Sequence, residues 1–186
     1  MSKKTNPNKL YPSPYDPDDK CWTLLHLAAT ESETKAVAFL IRHGFDVNAV
    51  TGKGETPLHL VAGPISFYEI VKLLLESGAK PNIEDDNGCT PLFNAVSGDN
   101  IAATLLLEHG AKVNFANKEG WTALHVAARL DQRKNVQFLI ANGAEVNVKD
   151  ANGKTPLDIA WGKAADFLRH YQHRSRRTLP VLKGGK

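Results

Sequence analysis

Apolar positions in this chain recur with two periods at once. Within short stretches they follow helical spacing, as in TLLHLAA at residues 23–29 and TALHVAA at 122–128. A second apolar run follows each short one, at 37–41, 70–75, 103–107 and 136–140. Between the runs lie Asn, Asp, Lys and Gly. The unit is therefore a short helix, a break, a longer helix and a polar turn. It is set out around GWTALHVAA at 120–128, which returns as CWTLLHLAA, GETPLHLVA, GCTPLFNAV and GKTPLDIAW. The threonines Thr23, Thr56, Thr90, Thr122 and Thr155 fix the register, at steps of 33, 34, 32 and 33 residues. A second element runs in phase with the first and ends at Asn48, Asn82, Asn114 and Asn147.

Each recurring residue has a physical task. Threonine caps the unpaired N–H groups of a helix start, and proline at the first helical position gives up only an N–H that would lack a partner. Small alanines let the next unit approach closely. In the second unit, Leu58, Leu60 and Ala62 are expected on one side of a short helix that ends at Gly63, because Pro64 follows. Gly44, Gly78, Gly110 and Gly143 stand where a helix end favours a left-handed residue. The turn-rich stretch up to Gly54, Gly88, Gly120 or Gly153 fits a hairpin-like turn. One unit cannot bury its own apolar face, so neighbours must stack.

Self-similarity at this period, with a T-P-L-H-x-A core, resembles the ankyrin repeat family. The resemblance covers residues 18–173 and implies an all-α repeat solenoid of five repeats, at about 18–50, 51–83, 84–115, 116–148 and 149–173. Residues 1–17 read as an irregular arm, whose Leu10, Tyr11 and Tyr15 are candidates to fold against the open edge of repeat one. Residues 174–186 read as a flexible basic tail. The fifth repeat suits a terminal cap with a wet outer face, its second helix expected at 164–171 and Trp161 expected as cap packing.

The net charge of +3 conceals an asymmetry. Residues 163–186 hold seven Lys and Arg against one Asp, while residues 21–162 hold 12 against 16 acidic groups. An acidic repeat body argues against a nucleic-acid groove. The longest apolar runs are too short to cross a membrane. No apolar core follows the early lysines, so a secretory signal is not expected, and Cys21 and Cys89 are expected as free thiols of a cytoplasmic or nuclear protein.

Chemistry finds little purchase. His26, His59 and His125 recur at the repeat period, each three residues after its threonine, as bridges between a turn and a helix. His43 and His109 suit helix C-termini. No Cys or His cluster has zinc spacing, no nucleophile and base pair can be drawn, and neither cofactor nor metal is implied. The expectation is a protein without catalytic activity, monomeric by itself.

The family resemblance implies that a protein partner docks on the concave face and the turn tips. The position before each repeat threonine is not fixed by the fold and reads Trp22, Glu55, Cys89, Trp121 and Lys154. Trp22 and Trp121 are candidate anchors; the competing reading packs each on its neighbouring turn. Asp86, Asn87, Cys89, Lys118 and Glu119 are candidates for the polar rim, with Arg129 on the same face. In repeat two, Phe67 and Tyr68 either pack inward or form a contact loop. The resemblance also implies that Asn48 and Asn147, in an L-x5-[DE]-V-N context, are candidates for asparagine hydroxylation. Small size and repeat number resemble regulatory members of the family, which makes a protein kinase regulator or inhibitor the runner-up role. A scaffold or a bacterial effector is the third.

Overall fold

The computed structural model describes residues 9–14, 21–63, 67–98 and 100–178. Among them ten α-helices form five consecutive pairs. These are α1 (Leu24–Thr30) with α2 (Thr34–Arg42), α3 (Pro57–Val61) with α4 (Tyr68–Glu76), and α5 (Pro91–Ala95) with α6 (Asn100–Glu108). They continue with α7 (Ala123–Arg129) and α8 (Arg133–Ala141), then α9 (Pro156–Ile159) and α10 (Gly162–Thr178). The first helices stack in one row, α1 on α3, α3 on α5, α5 on α7 and α7 on α9. No strand forms among the described residues, and the one isolated bridge pairs Tyr11 with Trp22. This is the stacked solenoid that the period demands.

All five repeat threonines stand at helix N-caps in extended backbone. Pro57, Pro91 and Pro156 follow at the first turn, where their fixed φ is already helical. The core is one continuous cluster along the stack. Leu25, Leu58, Leu92 and Leu124 supply its inner row, and Leu74, Leu106 and Leu139 its outer row, all at 1% exposure or less. Each such leucine contributes about 1.5–3 kcal/mol of transfer free energy.

Several expectations are corrected. Helix α3 ends at Val61, short of Gly63, and Leu60 does not share the buried side of Leu58 and Ala62. Residues two apart lie on different faces of a helix. Helix α10 extends to Thr178, so residues 174–178 are helical where a tail was expected. The arm does meet repeat one: the Tyr11 N–H donates to the Trp22 carbonyl at 2.7 Å and the Trp22 N–H returns the bond at 3.1 Å. Leu10 stays 52% exposed. Phe67 packs against the core, which favours the inward reading of that loop. Tyr15, Pro64, Ile65 and residues 179–186 lie outside the described residues.

The joint between the third and fourth pairs differs from the others. Phe93 stands where three other repeats carry histidine, and the Thr90 side chain makes no capping bond. Asn135 of α8 takes over. It is 2% exposed, and its amide donates to the carbonyls of Val96 at 2.6 Å and Gly98 at 2.9 Å. Gly98 is required beside it, because a Cβ there would collide with the Gly63 carbonyl.

Candidate protein-binding face

The turn tips are built as a ladder. In four successive turns one side chain closes the loop. Thr51 Oγ1 accepts from the N–H groups of Lys53 and Glu55, and Asp85 Oδ1 from those of Asn87 and Cys89. Asn117 Oδ1 and Asp150 Oδ1 repeat the pattern two and four residues on. Backbone bonds then join neighbouring tips: Asp86 N–H to the Lys53 carbonyl, Lys118 to Asn87 and Ala151 to Glu119, at 2.8–3.1 Å. The N–H of Lys154, donated to the Asp150 carboxylate, holds that group below the usual carboxylate range.

Behind the tips a second ladder of amides runs along the stack. Asn48 donates to the Gly78 carbonyl and accepts from Lys80, Asn82 joins Gly110 to Lys112 in the same way, and Asn114 joins Gly143 to Glu145. Asn147 instead accepts from Gln172 of α10. The two hydroxylation candidates thus occupy different surroundings. Asn48 is clamped between two backbone groups of the next repeat, whereas Asn147 is exposed and held by a side chain.

The histidines are structural ties, as their period implies. Nδ1 of His26, His59 and His125 accepts from the backbone N–H of its own threonine at 3.1 Å. Nε2 then donates to the next turn, at the carbonyls of Glu55, Cys89 and Lys154 respectively, at 3.1–3.2 Å. Burial pushes His59 and His125 below the ordinary imidazole pKa, with carbonyl bonds and nearby carboxylates opposing it in part. Because their folded values lie below the unfolded value, the unfolded chain binds more protons in that interval. Stability is therefore full above pH 6.5, the unperturbed value, and falls as pH drops below it. Denaturation midpoints measured from pH 7 to pH 5 should fall, and His59→Phe/His125→Phe should flatten the slope.

The expected site residues fall into three groups. Asp86, Asn87, Cys89, Lys118 and Glu119 do meet, around a small cavity of about 310 Å³ between the turns closed by Asp85 and Asn117. Lys118 Nζ donates to the Asp86 carbonyl at 2.6 Å. Burial pushes the Cys89 thiol up, and the Asn117 amide, donating to Sγ at 3.5 Å, opposes that. The thiol is thus kept protonated and poorly nucleophilic.

Trp22 does not join the face. It is 3% exposed, with its backbone paired to Tyr11 of the arm, and is corrected to a packing residue.

Trp121 and Arg129 do come together. The Trp121 indole lies stacked beside His125, its N–H donates to Asp150 Oδ2 at 3.2 Å, and the Arg129 guanidinium sits 5.4 Å from its ring centroid. Trp161 completes this group, against the expectation of cap packing. Its indole N–H donates to the Arg129 carbonyl at 2.8 Å while the ring stays 62% exposed. Leu130 beside it is 45% exposed. Along the same row of first helices, Leu60, Phe93, Asn94 and Val126 line a shallow groove of about 470 Å³.

Among the described residues, no group of three or more His, Cys, Asp or Glu is placed to hold a metal ion, and no helix is long and apolar enough to cross a membrane. A hydrogen-bonded row of turn tips thus lies beside the half-buried Trp121 and the exposed Trp161. The sequence matches the family described as ankyrin repeats (3 copies) over residues 6–85 and 61–150, and the chain belongs to the ankyrin repeat family. It is a protein-interaction module of that family. Human Rabankyrin-5 is 39% identical over 94 residues, which is 45% of this chain and 8% of that protein. Human ankyrin repeat and SOCS box protein 16 is 35% identical over 167 residues, 88% of this chain and 36% of the relative. The Drosophila melanogaster tyrosine-protein kinase Shark is 32% identical over 156 residues, 80% of this chain and 16% of the kinase. The chain therefore spans between about a twelfth and a third of these relatives.

Proposed function

We propose that this chain acts by binding alone, holding a partner protein against the inner face of its fourth and fifth repeats. The observation that carries the reading is the group of Trp121, Arg129 and Trp161. Tryptophan and arginine are the side chains that most often anchor interfaces. Here the Arg129 guanidinium lies against the Trp121 ring and the Arg129 backbone carbonyl accepts from the Trp161 indole, yet Trp161 remains largely open to solvent. Holding them in place before binding lowers the entropic cost of docking. The turn tips at Asp86, Asn87, Lys118 and Glu119 supply the polar rim.

The test compares what the wild-type protein and a Trp161→Ala/Arg129→Ala variant capture from cell extract, followed by titration of each captured partner. Truncating two anchors is expected to weaken the specific partner about 30-fold or more, at unchanged thermal stability. Equal capture by both proteins overturns the placement of the site. A protein kinase among the partners bound through this face turns the proposal towards kinase regulation, read by the kinase's activity at stoichiometric amounts.

A further inference from the structure

The first repeat carries an apolar groove that nothing among the described residues covers. Leu24, Leu27 and Ala28 of α1 and Phe39 and Leu40 of α2 form its floor and walls, around about 330 Å³. Phe39 is 52% exposed, with its ring stacked on His43. Glu31 and Glu33 stand on the rim, in the loop between the two helices. In every later repeat the corresponding surface is covered by the repeat before it. Residues 9–14 do not line the groove: Tyr11 pairs with Trp22 and Leu10 stays exposed.

An occupant must be apolar to fill the floor and basic to answer the rim. Of the segments of this chain outside the structure, residues 1–8 offer Met1 alone as an apolar side chain, and residues 15–20 bring three aspartates to two glutamates. Residues 179–182, Leu-Pro-Val-Leu, fit both demands, since Arg174, Arg176 and Arg177 precede them and Lys183 follows. This segment cannot reach its own groove. Four repeat-to-repeat steps separate α10 from α1, about 40 Å at roughly 10 Å per packed helix layer. Leu182 is four residues beyond the helix end, a reach of about 14 Å.

We propose that the groove of repeat one receives residues 179–182 of a second copy of this chain, with the arginines at the end of α10 set against Glu31 and Glu33. Such a contact joins two different surfaces, so each copy keeps one free groove and one free segment. Association is then head to tail and grows with concentration. The proposal departs from the monomer expected from the sequence, and its groove is at the opposite end of the stack from the Trp121 and Trp161 face.

Sedimentation velocity on the full chain tests it, with two variants that each disable one half. Phe39→Asp blocks the groove at an exposed position, and Val181→Asp/Leu182→Asp blocks the segment. Wild type should form a series of oligomers that shortens with added salt. Each variant alone should stay monomeric, and a mixture of the two should give a one-to-one heterodimer and nothing larger. A labelled peptide of residues 174–186 should bind the wild-type groove at least tenfold more tightly than the Phe39→Asp groove. Wild-type monomers at all concentrations, oligomers that either variant leaves unchanged, or equal peptide binding to both grooves would overturn the proposal.

Discussion

Leu106→Ala should cost about 2–5 kcal/mol, the range for a buried leucine that leaves a cavity behind. Leu106 lies on α6 at 0% exposure, within the cluster that runs through all five helix pairs. The third pair sits at the centre of the stack, so the cavity loosens contacts on both sides. In a one-dimensional array, loss at one unit weakens its two interfaces and can divide the chain into separately melting halves. The tryptophans report this directly. Trp22 belongs to the first repeat, and Trp121 and Trp161 to the fourth and fifth. Urea unfolding followed by helical circular dichroism and by tryptophan fluorescence should give coincident curves for wild type and separated ones for the variant. A loss below about 1 kcal/mol would mean that the inter-repeat core is elsewhere.

Asn135→Leu should cost about 2–4 kcal/mol, although it exchanges a polar side chain for an apolar one of similar size. The amide is buried and serves two carbonyls, those of Val96 and Gly98. Leucine leaves both without their donor, and an unsatisfied buried polar group costs about 1–3 kcal/mol. Asn135→Asp should be at least as damaging, because a carboxylate offers acceptors to acceptors. Amide hydrogen exchange is expected to speed up most in the 93–98 segment and at the start of α8. A neutral Asn135→Leu would show that solvent reaches these carbonyls and that the joint is held by packing alone.

The helix starts were legible because one signal serves each of them. A threonine in extended backbone is followed by proline in three repeats and by histidine three residues on in three, and all five threonines are caps. The histidine ties were legible for the same reason, since only an inter-repeat role explains a side chain that returns with the repeat period. What failed was set by neighbours distant in sequence. Trp22 looked like Trp121 by position, but its backbone is bridged to Tyr11 and its indole is buried. Trp161 occupies the place of Ala128, which is fully buried, yet α9 ends four residues after its cap and turns the indole outward onto Arg129. The polar end of α10 has no apolar stripe beyond Tyr171 to announce a helix, and it is helical to Thr178 nonetheless. Asn135 gave no signal at all, because the carbonyls it serves, those of Val96 and Gly98, lie far from it in sequence.

Asp158 stands where three repeats carry histidine, and its Oδ2 accepts from the Thr155 backbone N–H and hydroxyl, each at 2.8 Å. An ionised carboxylate has no N–H to donate to the carbonyl that a following turn presents to this position. Copying events in the gene would therefore meet unequal fates. A tandem duplication of residues 116–148 inserts a unit whose imidazole is ready to grip its successor. Duplicating the fifth unit inserts one that lacks that grip, and so growth of the array is favoured from within and discouraged at its end.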